Sequence, residues 1–219
     1  MICASQISKR YGNVHALHAT DLHIRENELV AITGPSGAGK STLLHLLSGL
    51  EPTDTGSVSI NGRKLNSMSR KQMQQFRNLD IGFIFQFHYL LPEFTALENV
   101  MMPLMIGGMR KKEAEAQAVD ILQKVGLKHR FNHKSDSMSG GEQQRVAIAR
   151  AIINKPKVLF ADEPTGNLDS KTTEEVFNLL LELKKEIGMT IVAVTHNLSL
   201  ADKMERVIIV KDGKINTDK

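Results

Sequence analysis

The chain has 219 residues, 28 Lys and Arg against 24 Asp and Glu, one cysteine (Cys3) and no tryptophan. That length fits one domain or a domain with a modest inserted lobe, and a lone cysteine excludes an internal disulfide and suits a reducing compartment. A net charge of +4 permits an acidic partner, but the basic residues are scattered and only two tyrosines and eight phenylalanines could stack on bases, so no direct nucleic-acid contact is expected.

From Ile2 to Ile60 the chain reads as short strands and turns, with breakers at Tyr11-Gly12-Asn13 and Arg25-Glu26-Asn27. Leu29 to Ile32 is a continuous apolar run that ends at a glycine-rich turn, after which Leu43, Leu46, Leu47 and Leu50 recur at helical spacing. Composition shifts towards Lys, Gln, Met and Glu between about Met68 and Ser137, and Glu113 to Val125 is an amphipathic helix. A helical subdomain inserted at about residues 87–140 of a single 1–219 domain is expected. A helix from about Glu142 to Ile153 follows, then a buried strand Val158 to Ala161. Next comes a helix with Val176, Leu179, Leu180, Leu183 and Ile187 on one face, then a buried strand Thr190 to Val194. Alternating strands and helices predict an α/β fold with a mostly parallel core sheet, closed by a hairpin over Arg206 to Asn216. Nowhere is there an apolar run of about 18 residues or a basic-then-apolar leader, so the expectation is a cytoplasmic protein.

Gly34-Pro35-Ser36-Gly37-Ala38-Gly39-Lys40-Ser41-Thr42 contains the full G-x-x-x-x-G-K-[ST] pattern between a buried strand and a helix. The glycines let successive backbone N–H groups turn inward on phosphate oxygens, and the positive helix end adds to the attraction. Lys40 is expected on the β- and γ-phosphates of ATP and Ser41 on Mg²⁺. The strand Val158 to Ala161 ends in Asp162 and Glu163, a pair suited to holding Mg²⁺ and polarising water, which implies hydrolysis rather than binding alone.

Ser139-Gly140-Gly141-Glu142-Gln143-Gln144-Arg145 resembles the signature of the ABC (ATP-binding cassette) ATPases. The resemblance implies a P-loop ATPase with an antiparallel N-terminal β subdomain and an inserted helical subdomain. It also implies that the signature of one copy closes over the ATP held by a second copy. By the same resemblance Tyr11 stacks on adenine, Gln86 touches Mg²⁺ or the attacking water, Asp169 ends a loop that senses the other subunit, and His196 is the switch histidine beside Glu163. A surface turn tyrosine, a helix cap at Asp169 and a structural histidine are the plain alternatives.

Met138 and Glu142 depart from the commonest signature, which has leucine and glutamine there. Gly-Gly-Glu-Gln-Gln-Arg with Pro164-Thr165-Gly166-Asn167-Leu168-Asp169 is similar to the branch of lipoprotein-releasing (LolD-type), macrolide-exporter (MacB-type) and cell-division (FtsE-type) ATPases. Within it, Gln86 to Val100 most resembles the lipoprotein-releasing type. The implied partners are a second copy and integral membrane permease subunits on separate chains, which would hold the protein at the cytoplasmic face of the inner membrane. Met101, Met102, Met105 and Met109 suit either an adaptable groove or packing inside the helical lobe. A soluble ABC ATPase acting on nucleic acid or ribosomes, and an FtsE-like signalling ATPase, are the alternatives.

Overall fold

The structure is a computed structural model that describes residues 1–218. In chain order the elements begin with β1 (Ile2–Tyr11), β2 (Val14–Ile24), β3 (Leu29–Thr33), α1 (Lys40–Leu47), β4 (Thr55–Ile60), β5 (Arg63–Lys64), α2 (Arg70–Leu79) and β6 (Ile81–Ile84). They continue with α3 (Ala96–Ile106), α4 (Lys111–Lys124), α5 (Gly140–Ile152), β7 (Val158–Asp162), α6 (Ser170–Ile187), β8 (Thr190–Val194), α7 (Leu198–Ala201), β9 (Arg206–Lys211) and β10 (Lys214–Asp218). The chain forms two compact units, one comprising residues 1–74, 160–163 and from Thr190 onward, the other residues 75–159 and 164–189.

The first unit holds an antiparallel sheet in the order β2-β1-β4-β5 and the strands β10-β9-β3-β8 followed by the end of β7. β3 runs parallel to β8, pairing Leu29 with Ile191 through Ile32 with Val194, and parallel to β9 on its other side. All five residues of β3 and of β8 are buried. A strand covered on both faces needs apolar residues at every position, which is why these strands read as unbroken runs rather than alternations. α1 buries Leu43, Leu44, Leu46 and Leu47 and packs against β8, β1 and β2.

β1 and β2 are longer than the short strands expected from the sequence. Their register shifts between Ala4 and Ile7, where Gln6 takes a positive φ of 49°, and again further along. Each shift resets which side chains face inward and so breaks the two-residue alternation that marks a long strand. The β9–β10 hairpin turns at Asp212 and Gly213, both left-handed, as a tight two-residue connection requires.

In the second unit, α5 packs against α3, α4, α6 and β6. The Asp80 carbonyl after α2 accepts from the Lys157 and Val158 amides, which sets β6 beside the start of β7. α3 opens with a reciprocal cap in which the Thr95 side chain accepts from the Glu98 amide and the Glu98 carboxylate accepts from the Thr95 amide. Among the described residues no helix is long and apolar enough to cross a membrane.

Candidate functional site

The first unit brings together Tyr11, the Gly34 to Thr42 loop, Asp162, Glu163 and His196. The loop leaves β3 and enters α1 through Gly39, whose φ is 99° and whose missing Cβ would stand 2.3 Å from the Ala16 carbonyl oxygen. Any side chain there meets both the strained backbone and a fixed backbone atom. α1 carries no acidic residue in its first turn, so its positive end is not offset from within the helix. The Lys40 ammonium donates to the Gly34 and Pro35 carbonyls at 3.0 and 2.8 Å, arching back over the loop. The Ser41 hydroxyl donates to Asp162 Oδ1 at 3.1 Å, so helix start and strand end meet through two hard oxygen donors.

One residue on, Glu163 holds a left-handed φ of 48°, and its amide donates to the Val194 carbonyl at the end of β8. The His196 ring Nδ1 stands 2.8 Å from Glu163 Oε2, and the His196 amide donates to the same oxygen at 3.3 Å. The carboxylate is only 13% exposed whereas the imidazole is 67% exposed. A sheltered carboxylate thus has one oxygen fixed by a group that itself faces solvent.

Sequence patterns missed two residues of this cluster. His45 Nε2 lies 3.9 Å from Asp162 Oδ2 and its Nδ1 lies 3.4 Å from Glu51 Oε1. Glu51 in turn accepts the Tyr11 hydroxyl, and Tyr11 also meets the Thr42 side chain, with the Lys9 ammonium 5.7 Å from its ring centroid. Burial, and then the Glu51 carboxylate, push the Tyr11 phenol above its ordinary range. His45 had a legible signal, since it follows Ser41 by one helical turn. Glu51 had none, because its contact to Tyr11 spans forty positions.

Gln86, Ser139 to Glu142 and Asp169 lie on elements of the second unit. Gln86 follows β6, and its carbonyl accepts from the Asn167 side chain at 3.2 Å. Beyond it Phe87, Tyr89 and Leu91 are exposed. The Arg150 guanidinium on α5 grips the His88 and Tyr89 carbonyls, each at 2.7 Å, and burial draws its pKa below the usual arginine range. Of the methionines, Met101 is buried in the lobe and Met105 is exposed.

Ser139 caps α5 by accepting from the Glu142 amide at 3.3 Å, while Glu142 Oε2 accepts from the Ser139 amide at 2.8 Å. Glu142 Oε1 takes the Arg130 Nε–H at 2.6 Å. The Ser139 amide and then Arg130 hold the Glu142 carboxyl down at about 2. A Cβ on Gly141 would meet the Thr172 methyl at 2.7 Å, so a glycine here lets α5 start close against α6. Asp169 caps α6, accepting from the Lys171 and Thr172 amides and the Thr172 hydroxyl, which lowers its pKa.

The ABC transporter family profile matches residues 17–166. The chain is 52% identical over 212 residues to the lipoprotein-releasing system ATP-binding protein LolD of Cytophaga hutchinsonii, covering 97% of each chain. It is 50% identical to the LolD of Bacteroides fragilis, covering 98% of this chain and all of that one. Among solved structures it is similar to a bacterial ABC transporter cassette solved as a dimer, at a TM-score of 0.92 and 42% identity over 100% of this chain and 98% of that one. A second, with ADP and Pi bound in a post-hydrolysis state, matches at a TM-score of 0.92 and 40% identity with the same coverage. Strand-loop-helix at Gly34 to Ser41, paired carboxylates ending β7 and a capped Ser-Gly-Gly helix start therefore sit on one known scaffold, and this chain belongs to the ABC transporter family as an ATP-binding, ATP-hydrolysing cassette.

Proposed function

We propose that this chain powers a lipoprotein-releasing complex, working as an ATP-sandwich dimer joined to integral membrane subunits on separate chains at the cytoplasmic face of the inner membrane. The observation that carries the catalytic part is the convergence of Lys40, Ser41, Asp162, Glu163 and His196 in one unit. The cargo and the membrane partners rest on the name of relatives about half identical over nearly the full length.

Lys40 exchanges its loop carbonyls for the β- and γ-phosphates of ATP, and the loop amides with the α1 end cradle the rest. The Ser41 hydroxyl and Asp162 carboxylate, 3.1 Å apart, fit a small hard cation that completes its shell with phosphate oxygens and water. Mg²⁺ bound there would offset charge on the β- and γ-oxygens. Glu163 orients and deprotonates the attacking water, and His196 fixes the Glu163 carboxylate while reaching towards the γ-phosphate. Tyr11, set by Glu51, stacks on adenine, and Ser139 to Glu142 of a second copy cover the triphosphate, with Asp169 at the subunit boundary.

The test is Glu163→Gln. Turnover should fall by at least about 100-fold, in the range general-base removal gives, while ATP is retained and the dimer accumulates on size exclusion. Near-normal turnover would remove Glu163 from this role. Affinity capture of the chain from membranes should bring down a multi-span subunit with a large extracytoplasmic domain; ribosomal or nucleic-acid partners instead would overturn the transport assignment.

A further inference from the structure

Glu142 poses an electrostatic problem. A carboxylate at the third position of a helix is favourable for the helix, since it sits at the positive end and closes a capping box. The same helix start is the surface proposed to meet the triphosphate held by a second copy, and a carboxylate there repels that phosphate. It also occupies the Ser139 amide, one of the donors such a surface would offer.

The structure contains a specific answer. Arg130, six residues beyond the end of α4, directs its Nε–H to Glu142 Oε1 at 2.6 Å, while its Nη1 lies 3.2 Å from the His133 ring. His129 Nε2 approaches the same Glu142 oxygen at 3.8 Å. The carboxylate thus has one oxygen facing its own helix start and the other facing a guanidinium. The arginine segment is itself anchored, because the Phe131 and His133 carbonyls accept from the Leu97 and Ala96 amides at the start of α3. The Arg130 side chain is 31% exposed and the Glu142 side chain 19%, so the pair is partly sheltered and only partly screened by solvent.

We propose that Arg130 is a positioning residue for ATP-driven dimerisation, one that neutralises and aims Glu142 so that the Ser139-Gly140-Gly141 start can accept a triphosphate from a second copy. This rests on the dimer reading above. The charge pairing supplies what glutamine at this position would give without a partner: a helix cap that does not repel phosphate. Depression of the Glu142 pKa to about 2 accords with a carboxylate that stays ionised and therefore needs the compensation at every physiological pH.

The experiment titrates ATP against the Glu163→Gln chain and reads the dimer fraction by size exclusion. Adding Arg130→Met should raise the ATP concentration for half-dimerisation by on the order of 10- to 100-fold, the size of an uncompensated charge several ångströms from a phosphate at intermediate dielectric. With Glu142→Gln also present, the same Arg130→Met change should cost less than about threefold. Arg130→Lys should retain most of the affinity, and high salt should narrow the Arg130→Met defect, since screening shortens to about 3 Å at 1 M.

An equal penalty in both backgrounds, insensitive to salt, would make Arg130 a packing residue and overturn the proposal, as would no penalty at all. Should Arg130→Met fail to give a normal thermal melt, Arg130→Gln repeats the comparison with a neutral hydrogen-bond donor. Ser139→Arg separates the two levels. If dimers still form with it, the signature reading fails; if they vanish while Arg130→Met is harmless, only the role of Arg130 falls.

Discussion

Asn99 on α3 is 1% exposed, and every polar atom of its side chain is committed. Its Oδ1 accepts from the Leu91 amide at 2.8 Å, and its Nδ2 donates to the carbonyls of Leu91, Phe94 and Thr95 at 3.1, 3.2 and 3.0 Å. One side chain therefore holds the segment that follows the exposed Phe87 and Tyr89. Asn99→Ala leaves the Leu91 amide and the Leu91 and Phe94 carbonyls without this partner, while the Thr95 carbonyl keeps the Asn99 amide at 2.9 Å; at about 1 kcal/mol for each lost bond, discounted for relaxation and water entry, the loss is about 2–3 kcal/mol. For a chain of this size that is a fall of roughly 4–12 °C in Tm. Asn99→Asp is the sharper variant, because it keeps the shape and the acceptor but turns the other end into an oxygen facing three carbonyls. It should be at least as damaging as alanine at pH 7 and should recover as acid protonates the new carboxyl. Urea and thermal melts measure the stability, and limited proteolysis between residues 88 and 95 reports whether this segment opens first. An Asn99→Ala loss below about 1 kcal/mol, or Asn99→Asp behaving like the parent, would refute the account of how the segment is held.

Gly39→Ala should disable ATP binding and cost about 2 kcal/mol or more, since a left-handed backbone and a backbone contact at 2.3 Å both oppose the methyl group; nucleotide-induced thermal shift would show it, and a normal shift would contradict the loop geometry. Glu142 gives a pH dependence. Its folded pKa is depressed to about 2, so its contribution is full above the unfolded value near 4.5 and is lost as pH falls from there through about 2. The stability gap between parent and Glu142→Gln should therefore be largest at neutral pH, at most about 3 kcal/mol, and shrink between pH 5 and 2. Urea melts across that range check it, and a gap that widens in acid would reverse the assignment.

The strands buried on both faces, β3, β7 and β8, were legible because burial on two sides demands unbroken apolar runs. Asp162 and Glu163 were legible at the end of an apolar strand taken together with the glycine-rich loop, and His196, just after β8, was legible through the family resemblance. Strand order was not legible: nothing local says that β9 lies beside β3 on the side away from β8. Arg130, Glu51 and Asn99 were equally hidden. Each acts through contacts formed only when distant segments meet or when a loop folds onto a helix, and none disturbs a periodic pattern. Glu142 was legible as a departure from the usual signature, but its partner twelve residues earlier was not.

The left-handed backbone at Glu163 has a consequence for how this sequence would drift. A glutamate at φ 48° carries strain of order 1 kcal/mol that asparagine or glycine would relieve. The contacts it would lose, an ion pair to a His196 ring that is 67% exposed and a long 3.3 Å bond from the His196 amide, together return on the order of 1 kcal/mol or less. A library at position 163 selected for heat resistance alone should therefore enrich asparagine and glycine over the parental glutamate. The same library selected for ATP turnover should retain only glutamate, and the divergence between the two pools would measure the conflict between thermal fitness and chemistry at a single codon.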